Sequence, residues 1–222
     1  NDALVVPGKY PPDVIGTPDF IAPELVKTSH LPIDHKSREL PKISTDRHSL
    51  SVLIYMYLLY CHPLRGCKVN DINDPANDEK LSMGEKALFV EHPTDISNRI
   101  KVDQCRPSDL PWADTQLLPY KKIVGPYLSK LFERAFIDSL HNPEKRPTAD
   151  EWESALVKTS DLLQPCSNKT CPQKWYVFDN TTSPICPFCS TPYKGKLPVI
   201  DFLSSKITFL ITSNESTTSD NA

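Results

Sequence analysis

A nearly uninterrupted apolar stretch at residues 50–60 constrains the fold most strongly, because a helix built from it has almost no polar face. This pattern is typical of a helix that is buried on every side within a helical domain. Asp46 precedes the stretch, and a carboxylate there stabilises the beginning of a helix. The stretch at 50–60 is too short to span a bilayer, which takes about 20 residues. The sequence therefore predicts a mainly α protein with no membrane partner.

Other segments predict additional elements around this helix. A weak helical pattern covers residues 79–91, and a clear amphipathic rhythm covers residues 123–136. Thr148 and Glu151 have the spacing of a capping box, which begins a further helix. The apolar face of that helix is expected to comprise Trp152, Ala155, Leu156 and Leu163. Residues 206–211 predict a strand, and the Ser/Thr-rich residues 212–222 predict a disordered tail.

Composition excludes several classes of protein. The formal net charge is -3, whereas nucleic-acid binding requires clustered Lys and Arg, so no nucleic-acid partner is expected. No basic stretch precedes an apolar run at the start, as it would in a signal peptide. The seven cysteines include one close CxxC pair and three scattered single residues, a mixture that favours a reducing compartment. We therefore expect a cytoplasmic protein.

Four of these cysteines have the spacing of a metal site. Cys166 and Cys171 form a first pair, and Cys186 and Cys189 form a second pair fourteen residues later. Two close pairs of thiolates suit a tetrahedral zinc, and a closed four-cysteine site is structural rather than catalytic. Aromatic residues between the pairs would supply a small apolar cover. A redox-active CxxC pair and buried thiols without a metal remain as alternatives.

Four short motifs follow one another between residues 16 and 148. They are GTPDFIAPE at residues 16–24, DRHSL at 46–50, HPLRG at 62–66 and NPEKRPT at 142–148. Their order and composition resemble the end of the activation segment and the following helical part of Ser/Thr protein kinases. The resemblance implies the helical C-terminal lobe of a protein-kinase-like fold, with the apolar helix at its centre.

The resemblance also implies roles for individual residues. Thr17 would lie near the active site, and Glu24 would form a bidentate ion pair with Arg146. Asp46 would hold the backbone of the catalytic loop, with simple helix capping as the alternative. The loop that binds the protein substrate would comprise Gly16, Thr17, Phe20, Ala22 and Pro23.

The motifs that bind ATP and transfer phosphate do not occur in this sequence. Phosphoryl transfer requires a glycine-rich loop, a strand lysine, an H-R-D loop and a D-F-G aspartate, and none is found. We therefore expect an inactive fragment of a bacterial-type Ser/Thr kinase, in which only the full-length parent uses ATP and Mg. A pseudokinase and a zinc-ribbon interaction scaffold are the alternatives.

The expected organisation has four parts. Residues 1–163 would form the partial kinase-like lobe, and residues 164–200 would form a zinc-ribbon-like module, below called the cysteine module. This order resembles bacterial kinases that carry a cysteine-rich ribbon after the lobe, where it binds a protein partner or docks on the lobe. A short strand at 201–211 and the tail at 212–222 would complete the chain.

Overall fold

The structure, a computed structural model, describes seven stretches of the chain. They are residues 18–32, 34–68, 74–100, 120–179, 184–195, 199–203 and 206–210, the last two by backbone alone. Gly16, Thr17 and the predicted tail at 212–222 lie outside the described residues. Within them the fold is mainly helical, with four short strands near the C-terminal end. None of the described helices is long and apolar enough to cross a membrane.

Helix α2, Ile43–Leu59, contains most of the apolar stretch but begins earlier than predicted. The Thr45 hydroxyl accepts the Lys42 N–H at 3.0 Å and so closes the first turn, while Asp46 is exposed within that turn. The prediction that the helix is buried on every side is wrong. Val52, Tyr55 and Leu59 lie in the core, whereas Leu53 and Tyr57 are exposed on the opposite face. Apolar composition alone does not determine which face a helix buries.

Two further helices complete the core. Helix α4, Tyr120–Glu133, continues into a π-helical turn at Arg134–Asp138, and helix α5 spans Ala149–Asp161. Tyr55 makes edge contacts with Phe89, Phe132 and Phe136, at centroid distances of 5.7, 5.0 and 5.8 Å respectively. Such edge-to-face arrangements add stability beyond area burial alone.

Helix α5 begins where its capping box predicts. The Thr148 hydroxyl accepts the Glu151 N–H, and the Glu151 carboxylate accepts the Thr148 N–H at 2.8 Å. Trp152 and Ala155 are buried as predicted. Leu156 is partly exposed, and Leu163 belongs to a strand, so the predicted apolar face is shorter than expected.

Helix α4 is interrupted near its middle. Gly125 has φ 74°, a left-handed conformation that favours glycine, and Pro126 follows it. A Cβ atom placed on Gly125 would lie 2.6 Å from Val177 Cγ1, so the bend leaves room for a residue of the cysteine module.

The remaining helices are short. Helix α1 spans Pro23–Thr28, and helix α3 spans Pro75–Ser82. The helix predicted over residues 79–91 is wrong in its bounds, because α3 begins at a cap supplied by Asp74 and ends before Gly84. Phe89 and Val90 are then buried from a non-helical segment.

The strands form two antiparallel hairpins. Strand β1, Leu163–Pro165, pairs with β2, Trp175–Val177, within the cysteine module. Strand β3, Val199–Leu203, pairs with β4, Lys206–Leu210, where the sequence predicted a single strand. Only Leu162 separates α5 from β1, so the cysteine module follows the helical lobe without a linker.

Candidate functional site

The first candidate site surrounds the ion pair of Glu24 and Arg146. The predicted contact is present: Nη1 and Nη2 of Arg146 each lie 2.7 Å from a different carboxylate oxygen of Glu24. The side chain of Arg146 is 1% exposed and that of Glu24 is 15% exposed. Parallel bonds of this kind are the strong, geometrically specific form of the arginine–carboxylate interaction.

Arg146 also binds backbone from two other parts of the lobe. Its guanidinium donates to the carbonyl oxygens of Ser44 at 2.9 Å, Leu140 at 3.0 Å and Ser139 at 3.4 Å. With the two bonds to Glu24, these use all five N–H donors of the guanidinium. The beginning of α1, the beginning of α2 and the turn after the π-helix are therefore joined at one buried cation.

The segment before α1 is fixed at several further points. Ser49 Oγ on α2 donates to the Phe20 carbonyl oxygen at 2.8 Å, and His62 Nε2 lies 2.8 Å from the Asp19 carbonyl oxygen. Arg65 forms a 2.8 Å ion pair with the Asp19 carboxylate. These contacts bring the 16–24 motif together with the 46–50 and 62–66 motifs.

The predicted loop residues differ in their environments. Phe20 packs partly buried against the hydrophobic core, and Ala22 and Pro23 are buried where α1 begins. Asp46 is exposed. The positions of Gly16 and Thr17 fall outside the described residues, so their expected roles stay predictions.

The glycine of the 62–66 motif is required by a close approach. A Cβ atom on Gly66 would lie 1.7 Å from the Asn98 carbonyl oxygen. Asn98 is itself buried and donates to the carbonyl oxygens of Leu64 at 3.0 Å and Leu88 at 2.6 Å. The sequence predicts no individual role for Asn98, Ser49 or His62, because the backbone groups that they bind in this site are distant in the chain. A polar residue beside an apolar run was the signal available for Ser49 and His62.

The second candidate site is the cluster of four cysteines, which the fold brings together as their spacing predicts. All four sulfur atoms lie within 4.8 Å of one another. Cys166 Sγ is 3.5 Å from Cys189 Sγ, and Cys171 Sγ is 3.9 Å from Cys186 Sγ. A tetrahedral site with metal–sulfur bonds of about 2.3 Å has sulfur–sulfur edges of about 3.8 Å. The donor set therefore fits one metal ion.

Two backbone turns hold these thiols. The Cys166 N–H donates to the Lys174 carbonyl oxygen, and the Asn168 N–H points at the Cys166 sulfur at 3.4 Å. In the second turn the Cys186 N–H donates to the Thr191 carbonyl oxygen at 2.9 Å. The bridge between Ile185 and Pro192 closes this turn at its base.

The thiols differ in acidity. Burial raises the pKa of the Cys186 thiol to about 12 and also raises the pKa of Cys166. A hydrogen bond with the Thr191 hydroxyl, 3.2 Å away, lowers the pKa of Cys189 to about 6. Metal ligands must be thiolates, so binding a cation here would release protons from the more basic thiols.

The aromatic cover of the cluster is only partly as predicted. Tyr176 is buried, Phe178 packs beside it, and Tyr193 meets Phe178 at a centroid distance of 5.0 Å. Trp175 points away from the cluster and is exposed, because neighbouring residues of β2 face opposite sides. Trp175 therefore does not belong to the aromatic cover that the sequence predicts from the residues between the two cysteine pairs, whereas Tyr176 and Phe178 do.

Comparison of the chain with protein-family models, with curated proteins and with solved structures finds no match.

Proposed function

We propose that residues 1–163 are a partial, substrate-side lobe of a Ser/Thr protein kinase. The observation that carries this proposal is the buried, bidentate contact between Glu24 and Arg146. These residues are 122 positions apart and belong to the first and last of the four motifs that resemble kinases. The resemblance implied this contact from the sequence alone. A bidentate pair between two such distant residues is not expected unless the two motifs belong to one site.

The proposed reaction is transfer of the ATP γ-phosphate to a protein Ser or Thr hydroxyl. In this arrangement Arg146 fixes the end of the substrate loop to the helical base, while Ser49 and His62 hold the loop backbone at Phe20 and Asp19. Rigid support of this kind positions a substrate hydroxyl, which is the main contribution a protein makes to phosphoryl transfer. ATP and Mg would be bound by motifs outside this sequence, so this chain alone is inactive.

The open reading frame that contains this chain provides the direct test. Its full product should transfer labelled phosphate from Mg-ATP to Ser or Thr of a generic protein substrate, and Thr17→Val should abolish most of the transfer. Thr170→Val, at an exposed position in the cysteine module, is the matched control and should retain it. A product without H-R-D and D-F-G motifs, and without transfer, would replace this proposal with the pseudokinase alternative.

The cysteine module has a proposed role of its own, as a structural zinc ribbon. Four converging thiols are the donor set that structural zinc sites use, and a closed set leaves no position for a substrate. The hydrophobic cluster that packs around the thiols is small, so a bound metal would supply much of its folding free energy. Its partner would be a protein surface or the helical lobe itself.

A further inference from the structure

A cavity of about 270 Å³ opens where the helical lobe meets the cysteine module. Its walls include Tyr57 and Tyr60 from the end of α2, Ile123 from α4, and Trp175 and Phe188 from the cysteine module. We call this feature the aromatic groove. None of the four cysteines and neither member of the Glu24–Arg146 pair lines it, although two of its residues, Tyr176 and Phe188, also pack against the cysteine cluster. The proposed functions make no use of this groove.

Large apolar side chains are unusually exposed at this place. Tyr57 is 76% exposed, Tyr60 is 57% exposed and Trp175 is 55% exposed, and Leu163 of the groove is also exposed. Scattered exposed apolar residues are normal, but a contiguous apolar patch around a concave site marks an interaction surface. Two separate parts of the fold contribute these rings, so the cluster is not a consequence of one amphipathic helix.

The groove has no charge of its own. None of the described residues that line it is acidic or basic. Single-stranded nucleic acids bind aromatic rings in grooves that are positively charged, and charged peptides require opposite charges. An electrically neutral partner therefore matches the groove best.

Hydrogen-bond donors select among neutral partners. The Tyr57 hydroxyl, the Trp175 indole N–H and the Gln173 amide all belong to residues of the groove. If the partner were an α-helix, its backbone carbonyls would already be bonded within the helix and would offer no acceptors to these donors. The carbonyls of a polyproline II helix have no internal partners and can accept them.

We propose that the aromatic groove binds a proline-rich segment of a partner protein in the polyproline II conformation. Pyrrolidine rings would lie against Tyr57 and Trp175, and the donors would bind carbonyl oxygens between them. Aromatic-lined grooves recognise proline-rich segments in this way, helped by the low entropy of a preformed helix. Binding here requires neither ATP nor the residues of the proposed substrate loop.

The test titrates the full chain into a fluorescein-labelled peptide of ten prolines and follows fluorescence anisotropy. Saturable binding is expected, whereas an alternating Gly-Ser peptide of equal length should not bind. Trp175→Ala and Tyr57→Ala should each weaken the affinity for the proline peptide about tenfold, because they remove central aromatic anchors. Tyr127→Ala, an exposed aromatic position on α4 outside the groove, is the matched control and should leave the affinity unchanged.

Circular dichroism melts of each variant should confirm that the proteins whose peptide affinities are compared are folded. Tyr57 is so exposed that its truncation should not disturb the core. The proposal is overturned if the proline peptide fails to bind, or if it binds the two groove variants as tightly as the control. It is also overturned if an amphipathic helical peptide or oligothymidine competes for Trp175 more strongly than the proline peptide.

Discussion

His62 accepts the Leu64 N–H at Nδ1, at 3.1 Å, and directs Nε2 toward the Asp19 carbonyl oxygen. One ring nitrogen must therefore be an acceptor and the other a donor, which only the neutral imidazole provides. Burial lowers the pKa of His62 to about 4, and burial also lowers the pKa of His48 well below its ordinary value. The fold thus stabilises two neutral histidines close to the proposed substrate loop.

The first prediction concerns acid stability. Between pH 6.5 and about 4, the unfolded chain binds a proton at His62 that the folded protein does not bind. The free energy of unfolding should therefore fall as the pH falls, by about 3 kcal/mol from His62 at the lower end. Urea titrations at several pH values across this range measure the free energy of unfolding and therefore its slope against pH. His62→Gln should reduce the slope, with the His48 contribution remaining, and His30→Gln at an exposed position should not change it. An unchanged slope in His62→Gln would contradict the assignment.

The second prediction concerns the buried ion pair. Arg146→Met should lower the free energy of unfolding by about 3–5 kcal/mol, because it leaves the Glu24 carboxylate without its ion-pair partner and removes hydrogen bonds to three backbone carbonyls. Glu24→Gln should also destabilise, and the double variant should lose less than the sum of the two. Glu39→Gln breaks an exposed pair with Lys42 and serves as the control, with an effect below about 1 kcal/mol. If Arg146→Met lowered the free energy of unfolding as little as Glu39→Gln does, the Glu24–Arg146 pair would contribute little to stability.

The third prediction concerns metal content. Elemental analysis of the purified protein should show close to one zinc per chain, bound by the four cysteines that converge in the cysteine module. Cys171→Ser and Cys189→Ser should each lose the metal, while Cys67→Ser, a thiol outside the cluster, should retain it. A metal-free protein with the same melting profile as the untreated protein would contradict the proposed structural zinc site.

The fourth prediction concerns nucleotides. This chain alone should neither bind nor hydrolyse ATP, because the nucleotide-contacting motifs of kinases do not occur in its sequence. It should also be marginally stable, since large side chains such as Tyr57 remain in water and each forgoes about 1.5–3 kcal/mol of burial. Thermal melts with and without Mg-ATP should coincide. A nucleotide-dependent rise in melting temperature, or phosphate transfer lost in Asp2→Ala, would place the catalytic machinery within this chain.

The fifth prediction concerns the bend in α4. Gly125→Ala should destabilise the protein by about 1–3 kcal/mol, through its left-handed backbone and its collision with Val177. Adding Val177→Ala should relieve only the collision, so chemical denaturation of the single and double variants separates the two effects. Gly195→Ala, whose new Cβ would meet the end of the Tyr193 side chain, is the comparison within the cysteine module. Additive losses would mean that Gly125 and Val177 do not interact.

Local features of this fold were predictable from sequence. The Thr148–Glu151 capping box gave the beginning of α5, since both partners lie within one turn. The spacing of Cys166, Cys171, Cys186 and Cys189 gave the cluster of thiols. In both cases the interacting groups are close in the chain and their chemistry has few alternatives.

Features that depend on distant partners were not predictable in the same way. No local signal distinguishes Leu53 and Tyr57 from their buried neighbours on α2, because packing against α4 and the 87–90 segment decides which face is covered. The apolar residues of that segment suggested a helix, yet Phe89 is buried without one. The Glu24–Arg146 contact was expected only through the resemblance of whole motifs, since nothing near either residue identifies the other.

The direct passage from α5 into β1 has a consequence for how the protein can be divided. Leu162 alone separates the two elements, and its carbonyl oxygen accepts the Phe178 N–H at 2.8 Å, so the junction is itself part of the hairpin framework. Residues 161–163 are therefore not a free linker, although Leu163 is exposed, and a truncation there would remove Val177, the neighbour that Gly125 accommodates. The sequence suggests two separate modules. In the fold, however, β1 continues directly from α5 and Val177 packs against Gly125 of α4, so a force applied to the cysteine module would act on both helices.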